Sequence, residues 1–402
     1  MNRDISGTRV NNDRKPVVIS YAAARVGRLE QARFEHEILS DLVIDAVRSA
    51  GLDKADIGSA VFTAPAPTTR QRAFATFMLS RLGLRCHGQA AEVSNLGITG
   101  GLAFDQACAD VRSGRVKAAL ALGIEYNSGV DAATMMESAI RAAGDVNFQS
   151  PFGLTPIAWY ALDADRYLFE TGTTRRDLAA IAVKNRRHAM LNPLAQFQTL
   201  LTVDDVLEQP PIVEPLGRFD VPPRSDGAIC LVITSEAAAR ELGKPFLRVL
   251  GRGFAHDGRH QVGCTPHDMT DFPAAGEATL QALEDAGTGL EHIDVAELYA
   301  PCTITEALVT EAIGLVGKGG GAAAAANGET AIGGRIPVCT SGGCLSRGHP
   351  PGLTALYGIA EIFDQLTHGA GERQVAGAGL GLHMCELGNY NAALAHVMDA
   401  GN

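Results

Sequence analysis

The stretch CTSGGCLSRGHPPG, residues 339–352, concentrates residue types that can do chemistry. It holds two cysteines, Cys339 and Cys344, and one histidine, His349, among closely spaced glycines. A cysteine thiolate is a nucleophile, and a histidine can donate or accept a proton near neutral pH. Three interpretations are open at this point: a nucleophilic site, a metal site, or a tight turn that happens to contain a histidine.

A second glycine-rich segment, NLGITGG at residues 95–101, also precedes a predicted helix. Glycine lets a ligand approach the backbone closely, and the free N–H groups of a helix start favour negative charge. After both segments the order is the same: glycine-rich turn, helix, glycine, buried strand. This indicates an internal duplication at the scale of half the chain, which would bring two helix starts together around one site. Tight packing between helix and sheet would also account for the glycines.

Predicted helices alternate with buried apolar strands over most of the chain, which is typical of an α/β fold with a covered sheet. Residues 128–215, here called the covering segment, are richer in aromatic residues, arginine and asparagine, and we interpret them as an inserted loop domain. We predict a disordered lead-in at 1–15, a first half at 16–240 that includes the covering segment, and a second half at 241–402. The Gly- and Ala-rich run 317–328 is predicted to be a surface loop.

The composition is that of an ordinary globular protein, with 402 residues, 46% hydrophobic and 20% charged. No apolar run is long enough for a membrane span, and the N-terminus has no apolar signal-peptide core, so we expect no membrane association and a cytoplasmic location. A net charge of −11 without a basic run disfavours nucleic acid as a partner. The eight cysteines include no CxxC pair, so we expect reduced thiols and no metal site.

Beyond about residue 16 the chain resembles the thiolase superfamily, and most closely its sterol-carrier-protein-type thiolases. The resemblance rests on the Ser-Gly-Gly turn and Gly-His-Pro motif within residues 333–366, and on the segments RSDGAICLVITS and VAELYAPCTITEALVTEAIGL. It implies the thiolase fold, with two duplicated βαβαβαββ halves in a layered αβαβα arrangement and an inserted loop domain. It also implies a coenzyme A thioester as substrate, no tightly bound cofactor, and a homodimer.

The resemblance assigns roles to residues near the C-terminus. In such enzymes the histidine of the Gly-His-Pro motif activates a cysteine nucleophile and polarises thioester oxygens, and a second cysteine moves the α-proton. By resemblance His349 has the first role and Cys385 the second, although Leu387 stands where the family's Cys-x-Gly motif has its glycine. His383 and Gly388 are expected in the substrate and oxyanion part of the site. The alternative for Cys385 is a buried cysteine that acts as a small apolar residue.

The nucleophile position departs from the family pattern. The family's Cys-x-Ser-Gly motif aligns with GITG, so Gly97 stands where the nucleophilic cysteine would be and is expected to contribute only to the substrate and oxyanion part. The strand-end motif is altered as well, because Tyr299 and Cys302 lie in LYAPC where the subgroup usually reads His-Asp-Cys-Phe. We predict that Tyr299 and Cys302 face the site as further catalytic residues, with ordinary packing as the alternative.

Three functions stay open on this evidence. Without a nucleophile no acyl-enzyme forms, whereas stabilising an enolate needs only donors and a base. This favours an aldolase-type enzyme that cleaves a 3-hydroxyacyl-CoA by a retro-aldol reaction. The alternatives are a thiolase or acyltransferase with a displaced nucleophile, such as Cys302 or Cys344, and a non-catalytic CoA- or lipid-binding subunit.

A partner protein is also implied by the resemblance. Relatives that lack the nucleophile act on steroid side-chain CoA esters together with a small protein bearing an OB fold and a zinc ribbon. This sequence encodes no such zinc module, so we expect a partner in trans. The sequence does not specify whether the acyl group is steroid, aromatic or aliphatic.

Overall fold

The computed structural model describes residues 14–29, 33–65, 69, 71–258, 269–388 and 390–401. The predicted lead-in over 1–15 falls almost entirely outside these residues, and Cys264 also lies outside them. The described chain is built on a mixed sheet of nine strands. In chain order the strands, including a separate short pair β5–β6, are β1 Pro16–Ala23, β2 Ile57–Thr63, β3 Gln89–Val93, β4 Ala118–Glu125, β5 Pro211–Val213, β6 Leu216–Gly217, β7 Gly227–Ser235, β8 Phe246–His256, β9 Val295–Leu298, β10 Leu380–Glu386 and β11 Ala392–Gly401.

The strand order of the large sheet repeats around its centre. In the first half the order is β3-β2-β4-β7-β1. Strand β1 pairs antiparallel with β8, and the second half continues as β8-β11-β10-β9. Beyond β9, Val338 forms a parallel bridge to Ala296, in the place that β3 has in the first half. Without the separate pair β5–β6, the strands of the first half run third, second, fourth, fifth, first from edge to centre. The second half repeats this order, with the isolated Val338 bridge in the third strand's place. This agrees with the predicted duplication.

The helices form layers outside and between the two halves of the sheet. In chain order they are α1 Glu35–Ser49, α2 Phe74–Leu82, α3 Thr99–Ser113, α4 Ala132–Ala143, α5 Pro156–Thr171, α6 Arg175–Met190, α7 Val203–Leu207, α8 Glu236–Glu241, α9 Pro273–Ala286, α10 Thr303–Ala312, α11 Gly321–Ala326 and α12 Thr354–Leu366. Helices α1 and α2 cover one face of the first half, α9 and α10 cover the second half, and α3 and α12 share a core with strands of both. This is the predicted αβαβα layering. Within the described ranges, no helix combines the length and apolar character needed to cross a membrane.

The two central helices begin side by side because small residues line their first turns. A Cβ on Gly100 of α3 would lie 3.0 Å from the Gly352 carbonyl oxygen and 3.2 Å from the Cβ of Ala355 in α12. At the next residue, a Cβ on Gly101 would lie 2.8 Å from the Cys385 sulfur of β10. A larger side chain at either glycine would push the elements apart, so these residues bring both helix starts and one strand end to one place.

The covering segment folds mainly into helices α4 to α7. Tyr160 and Tyr167 of α5 are buried in the large core of the second half. By contrast, Phe148, Phe152 and Phe169 keep 75–80% of their surface exposed. The segment therefore has one face that packs on the fold and another that carries apolar rings into solvent.

The prediction of a surface loop over 317–328 is wrong. Six residues of this run form α11, and Ala322, Ala324 and Ala325 are buried in it. The helix packs against α6 and α10, and a Cβ on Gly321 would lie 2.4 Å from the Ala307 carbonyl oxygen. Small residues are required here for close helix packing, which a composition rich in Gly and Ala does not distinguish from a flexible loop.

Candidate active site

The starts of α3 and α12 are both tied to the ends of strands. A 3-10 turn, Leu96–Ile98, leads into α3, and the Gly97 N–H within it donates to the Leu387 carbonyl oxygen at 3.1 Å. A second 3-10 turn, Pro351–Leu353, leads into α12, and there the Gly352 N–H donates to Glu125 at the end of β4, at 2.9 Å. The duplicated halves thus bring the two helix starts next to each other, as the predicted duplication implied.

His349 stands between a π-helical turn, Gly343–Arg347, and the start of α12. Its backbone N–H donates to the Ser225 hydroxyl at 2.8 Å. Its ring packs edge-on against the Tyr299 ring, with centroids 5.2 Å apart. The ring nitrogen Nε2 is buried and has no hydrogen-bond partner among the residues that the structure describes. Because buried polar atoms are nearly always paired in proteins, this nitrogen is a position for a ligand atom.

The imidazole of His349 is uncharged at neutral pH. Burial, with a smaller contribution from the positive charge of Arg347, lowers the pKa of this imidazole to about 3. A neutral imidazole has one N–H donor and one acceptor nitrogen. It therefore suits hydrogen bonding to a developing oxyanion, which needs a donor already in place rather than a charge brought from water.

The Tyr299 ring lies close to both His349 and Gly97. Tyr299 follows β9 and is buried, and burial raises the pKa of its phenol well above the ordinary value. A Cβ on Gly97 would lie 2.7 Å from the Cζ of Tyr299. Tyr299, predicted as a site residue from an altered motif, thus lies against both His349 and Gly97.

Cys385 and Cys344 lie in one small apolar cluster with Tyr299 and Ile98. The Cys385 sulfur accepts the Gly101 N–H, and burial raises the pKa of this thiol above its ordinary value. Burial also raises the pKa of the Cys344 thiol to about 12. Both are thiols rather than thiolates at neutral pH, so neither is activated as a nucleophile in this structure.

Cys302 does not lie in the cluster that holds Cys385, the other cysteine predicted to be catalytic. It precedes α10 and is buried in the large core of the second half, together with Cys339. Burial raises the pKa of the Cys302 thiol as well. All seven cysteines within the described ranges are free. A catalytic role for Cys302 stays a prediction, and its surroundings are those of a core residue.

His383 and Gly388 make contacts away from the Tyr299 ring. His383 Nδ1 lies 3.3 Å from His396 Nδ1, and His396 in turn bonds Asp105 of α3 at 2.7 Å. The Gly388 carbonyl accepts from the Tyr160 hydroxyl of the covering segment, and its N–H donates to Glu386 at 2.5 Å. The predicted oxyanion roles of His383 and Gly388 stay predictions, because their polar groups bond to other side chains.

Glu125 is a residue of this region that sequence reasoning missed. It is 5% exposed, and its carboxyl group accepts hydrogen bonds from the Gly352 N–H and, at 3.1 Å, from the Asn127 side chain. Burial raises the pKa of this carboxyl to about 7, against the lowering effect of those two bonds. The available signal was an acidic residue at the end of the wholly apolar run ALALGI.

Comparisons with known proteins agree with this architecture. A family model for the N-terminal domain of thiolases matches residues 17–237, and one described as thiolase C-terminal domain-like matches residues 255–400. An acetyl-CoA acetyltransferase of Methanothermobacter thermautotrophicus is 31% identical over 96% of this chain and 99% of its own. A steroid side-chain-cleaving aldolase of Thermomonospora curvata is 31% identical over 85% of this chain and 88% of its own.

A solved structure gives the same result for the fold. The chain matches a structure titled Ltp2-ChsH2(DUF35) aldolase with a TM-score of 0.82 and 25% identity. The match covers 97% of this chain and 98% of that one, so the covering segment and both halves are included. With family models that match both halves and a near full-length relative above 30% identity, this chain belongs to the thiolase superfamily.

Proposed function

We propose that this chain cleaves a 3-hydroxyacyl-CoA by a retro-aldol reaction. One observation carries the proposal: position 97 has no side chain, while the neutral His349 keeps a buried ring nitrogen beside Tyr299 that has no partner among the described residues. Such a site can hold an oxyanion, and position 97 carries no side chain to form an acyl-enzyme. The similarity to a steroid side-chain-cleaving aldolase and to the Ltp2-ChsH2(DUF35) aldolase supports it.

The reaction balances without a further reactant. The β-hydroxyl group loses its proton, a C=O bond forms at Cβ, and the Cα–Cβ bond breaks. Its electron pair moves into the thioester, which becomes an enolate, and Cα then takes up a proton. The products are an aldehyde or ketone and a shortened acyl-CoA.

We assign the steps to neutral groups of the site. His349 donates from its ring nitrogen Nε2, which has no partner among the described residues, to the thioester oxygen as charge develops there. The Tyr299 phenol takes up the proton of the β-oxygen as it passes its own proton on. Cys385, in the same cluster, gives its thiol proton to Cα and takes up the proton that Tyr299 released, so both groups end neutral. Burial disfavours the charged forms of all three groups, so the site acts through hydrogen-bond donors and proton exchange.

The first experiment tests this reaction directly. Wild-type protein is incubated with a 3-hydroxyacyl-CoA, without added CoA, alone and with a candidate partner protein. We expect a carbonyl product and a shortened acyl-CoA in equal amounts, measured by mass spectrometry. Cleavage of a 3-ketoacyl-CoA that requires added CoA, with no carbonyl product, would contradict the lyase proposal.

A thiolase-type acyltransferase is the second candidate. The near full-length similarity to an acetyl-CoA acetyltransferase favours it, and Cys344 lies in the same cluster as Tyr299. The two candidates differ in covalent chemistry, because only the acyltransferase needs an acylated cysteine. Denaturing the protein after incubation with an acyl-CoA and mapping acyl groups by mass spectrometry separates them, and Cys344 and Cys302 are the positions to inspect.

The partner assignment belongs to the same proposal. We propose that a separate small chain with an OB fold and a zinc ribbon docks on the covering segment, and that the core is a homodimer. The related solved structure carries two components in its title, and three phenylalanines of the covering segment expose most of their rings. We propose that the partner covers these rings, since large exposed apolar patches mark protein-interaction surfaces.

A further inference from the structure

Gly97 is a glycine for reasons of space rather than of backbone conformation. Gly97 does not have a positive φ, so residues with a side chain can also adopt its backbone conformation. However, a Cβ at this position would lie 2.2 Å from the Glu386 carbonyl oxygen, and 2.7 and 3.0 Å from two ring carbons of Tyr299. Since non-bonded carbons pack at about 3.5–4.0 Å, any side chain here would overlap both neighbours.

Neither neighbour is free to retreat. The Tyr299 ring lies against the His349 ring and close to Gly97, and the residue is 5% exposed. The backbone N–H of Tyr299 donates to the Met384 carbonyl at 2.8 Å. The Glu386 carbonyl lies next to Leu387, whose own carbonyl accepts the Gly97 N–H. Displacing the ring or the backbone would therefore break contacts on the far side of each.

We propose that Gly97 and Tyr299 form a coupled pair that decides which reaction this site performs. The Tyr299 ring takes the space that a side chain at position 97 would need, so the site presents a phenol beside His349 and no side chain at position 97. The inference rests on the proposed function, because it names the residues that commit the site to cleavage without an acyl-enzyme. A single Gly97→Cys change then cannot create a thiolase.

The test of the pair is a double-mutant cycle on stability. Gly97→Ala, Tyr299→Ala and the combined variant are compared by equilibrium unfolding in denaturant. Gly97→Ala alone is expected to reduce the folding equilibrium constant roughly 10- to 100-fold, as added volume in a filled core does. In the Tyr299→Ala background its cost is expected to be roughly three- to tenfold smaller, since the ring is gone while the Glu386 carbonyl remains. If Tyr299→Ala does not fold, Tyr299→Val takes its place.

Gly317 provides the matched control. It also lacks a positive φ, and a Cβ there would meet no atom within 4 Å. Gly317→Ala is therefore expected to change the folding equilibrium constant by no more than about twofold. Strictly additive effects of the two site substitutions would overturn the coupling.

A covalent readout tests the consequence for reaction type. Gly97→Cys protein is incubated with an acyl-CoA and analysed by mass spectrometry, and we expect no acyl group at position 97. An acyl adduct there, in protein of wild-type stability, would overturn the pair. Coupling in the cycle combined with no lyase turnover of the wild type would instead overturn the reaction assigned to the pair. Additive stability effects combined with normal lyase turnover of the wild type would contradict the coupling of Gly97 and Tyr299 but would leave the proposed function unchanged.

Discussion

The imidazole of His349, the phenol of Tyr299 and the thiol of Cys385 are all uncharged at neutral pH. In each case burial is the largest cause, because it penalises the charged form. A site built from such groups cannot rely on a standing anion or cation. It can present fixed hydrogen-bond donors in a medium of low dielectric constant, where a developing enolate oxygen gains most from them.

Replacing His349 tests this at the level of one side chain. His349→Ala removes the only ring nitrogen proposed for the thioester oxygen, and we expect kcat to fall roughly 10²–10³-fold, as when an oxyanion donor is lost. His349→Gln retains an amide donor and should lose less. Steady-state kinetics with a 3-hydroxyacyl-CoA measures both, and an unchanged kcat in the alanine variant would remove His349 from the mechanism.

The same residue should make the protein sensitive to acid. The unfolded imidazole has a pKa near 6.5 and the folded one a pKa of about 3, so the unfolded state binds more protons between these values. The contribution of the neutral imidazole to the free energy of unfolding is complete above pH 6.5 and is lost as the pH falls toward 3. Between pH 7 and 5 the wild type should lose about 2 kcal/mol more than His349→Gln does. Urea titrations at both pH values measure this, and equal losses would contradict the low pKa.

Some of these residues were accessible from the sequence and others were not. His349, Tyr299 and Gly97 lie in motifs whose family counterparts are known, and the structure places Tyr299 against both of the others. Glu125 carries no motif, and an acid after a buried strand is more often a solvated strand end. Only the close approach of Gly352 shows that its carboxyl is enclosed. The contacts of His383 with His396 likewise depend on pairing between β10 and β11, which local sequence does not reveal.

At the scale of elements, the glycine-rich helix starts were predictable and the irregular turns were not. Glycines before an apolar helical pattern predicted the starts of α3 and α12. The π-helical turn Gly343–Arg347, which leads to His349, inserts a residue without any periodic signature. Helix α11 was missed for the opposite reason, because its alanines look uniform in sequence and only their burial against α6 shows packing.

Helix α5 carries a buried acid, Asp163, from which we predict how the stability depends on pH. Both carboxyl oxygens of Asp163 are buried without a hydrogen-bond partner among the described residues, and burial raises the pKa of this group well above its ordinary value. The folded state thus holds a proton that the unfolded state releases above about pH 3.8. The contribution of the protonated Asp163 to the free energy of unfolding is complete below that pH and falls as the pH rises above it.

Asp163→Asn has a similar volume and no titration, so it should be more stable than the wild type at pH 8. The gain should exceed the about 0.5 kcal/mol typical of surface changes and should disappear near pH 4. Unfolding in urea at both pH values measures the difference. A gain of equal size at the two pH values would point to packing instead of proton binding. Asp165→Asn, a neighbouring exposed position on α5, is the control.

For the whole molecule, the duplication could be predicted because both halves follow one order of turns, helices and strands. The continuity of the sheet could not, since the antiparallel pairing of β1 with β8 joins strands more than 200 residues apart and has no local signal. The mirrored strand order leaves β3 at one end of the sheet, paired only with β2 in the described chain. A strand with one open edge invites pairing with another chain.

The proposed homodimer can be tested at this edge. Ala90 is an exposed residue of β3, so Ala90→Lys should cost a folded monomer little. Across a two-fold interface the same change places two lysines near each other and disfavours strand pairing, as edge lysines do in other sheets. We expect a shift from dimer to monomer in size-exclusion chromatography with light scattering. Leu280→Lys, on the exposed side of α9, is the control and should leave the mass unchanged. A dimer that survives Ala90→Lys would place the interface elsewhere, and a monomeric wild type would exclude the homodimer.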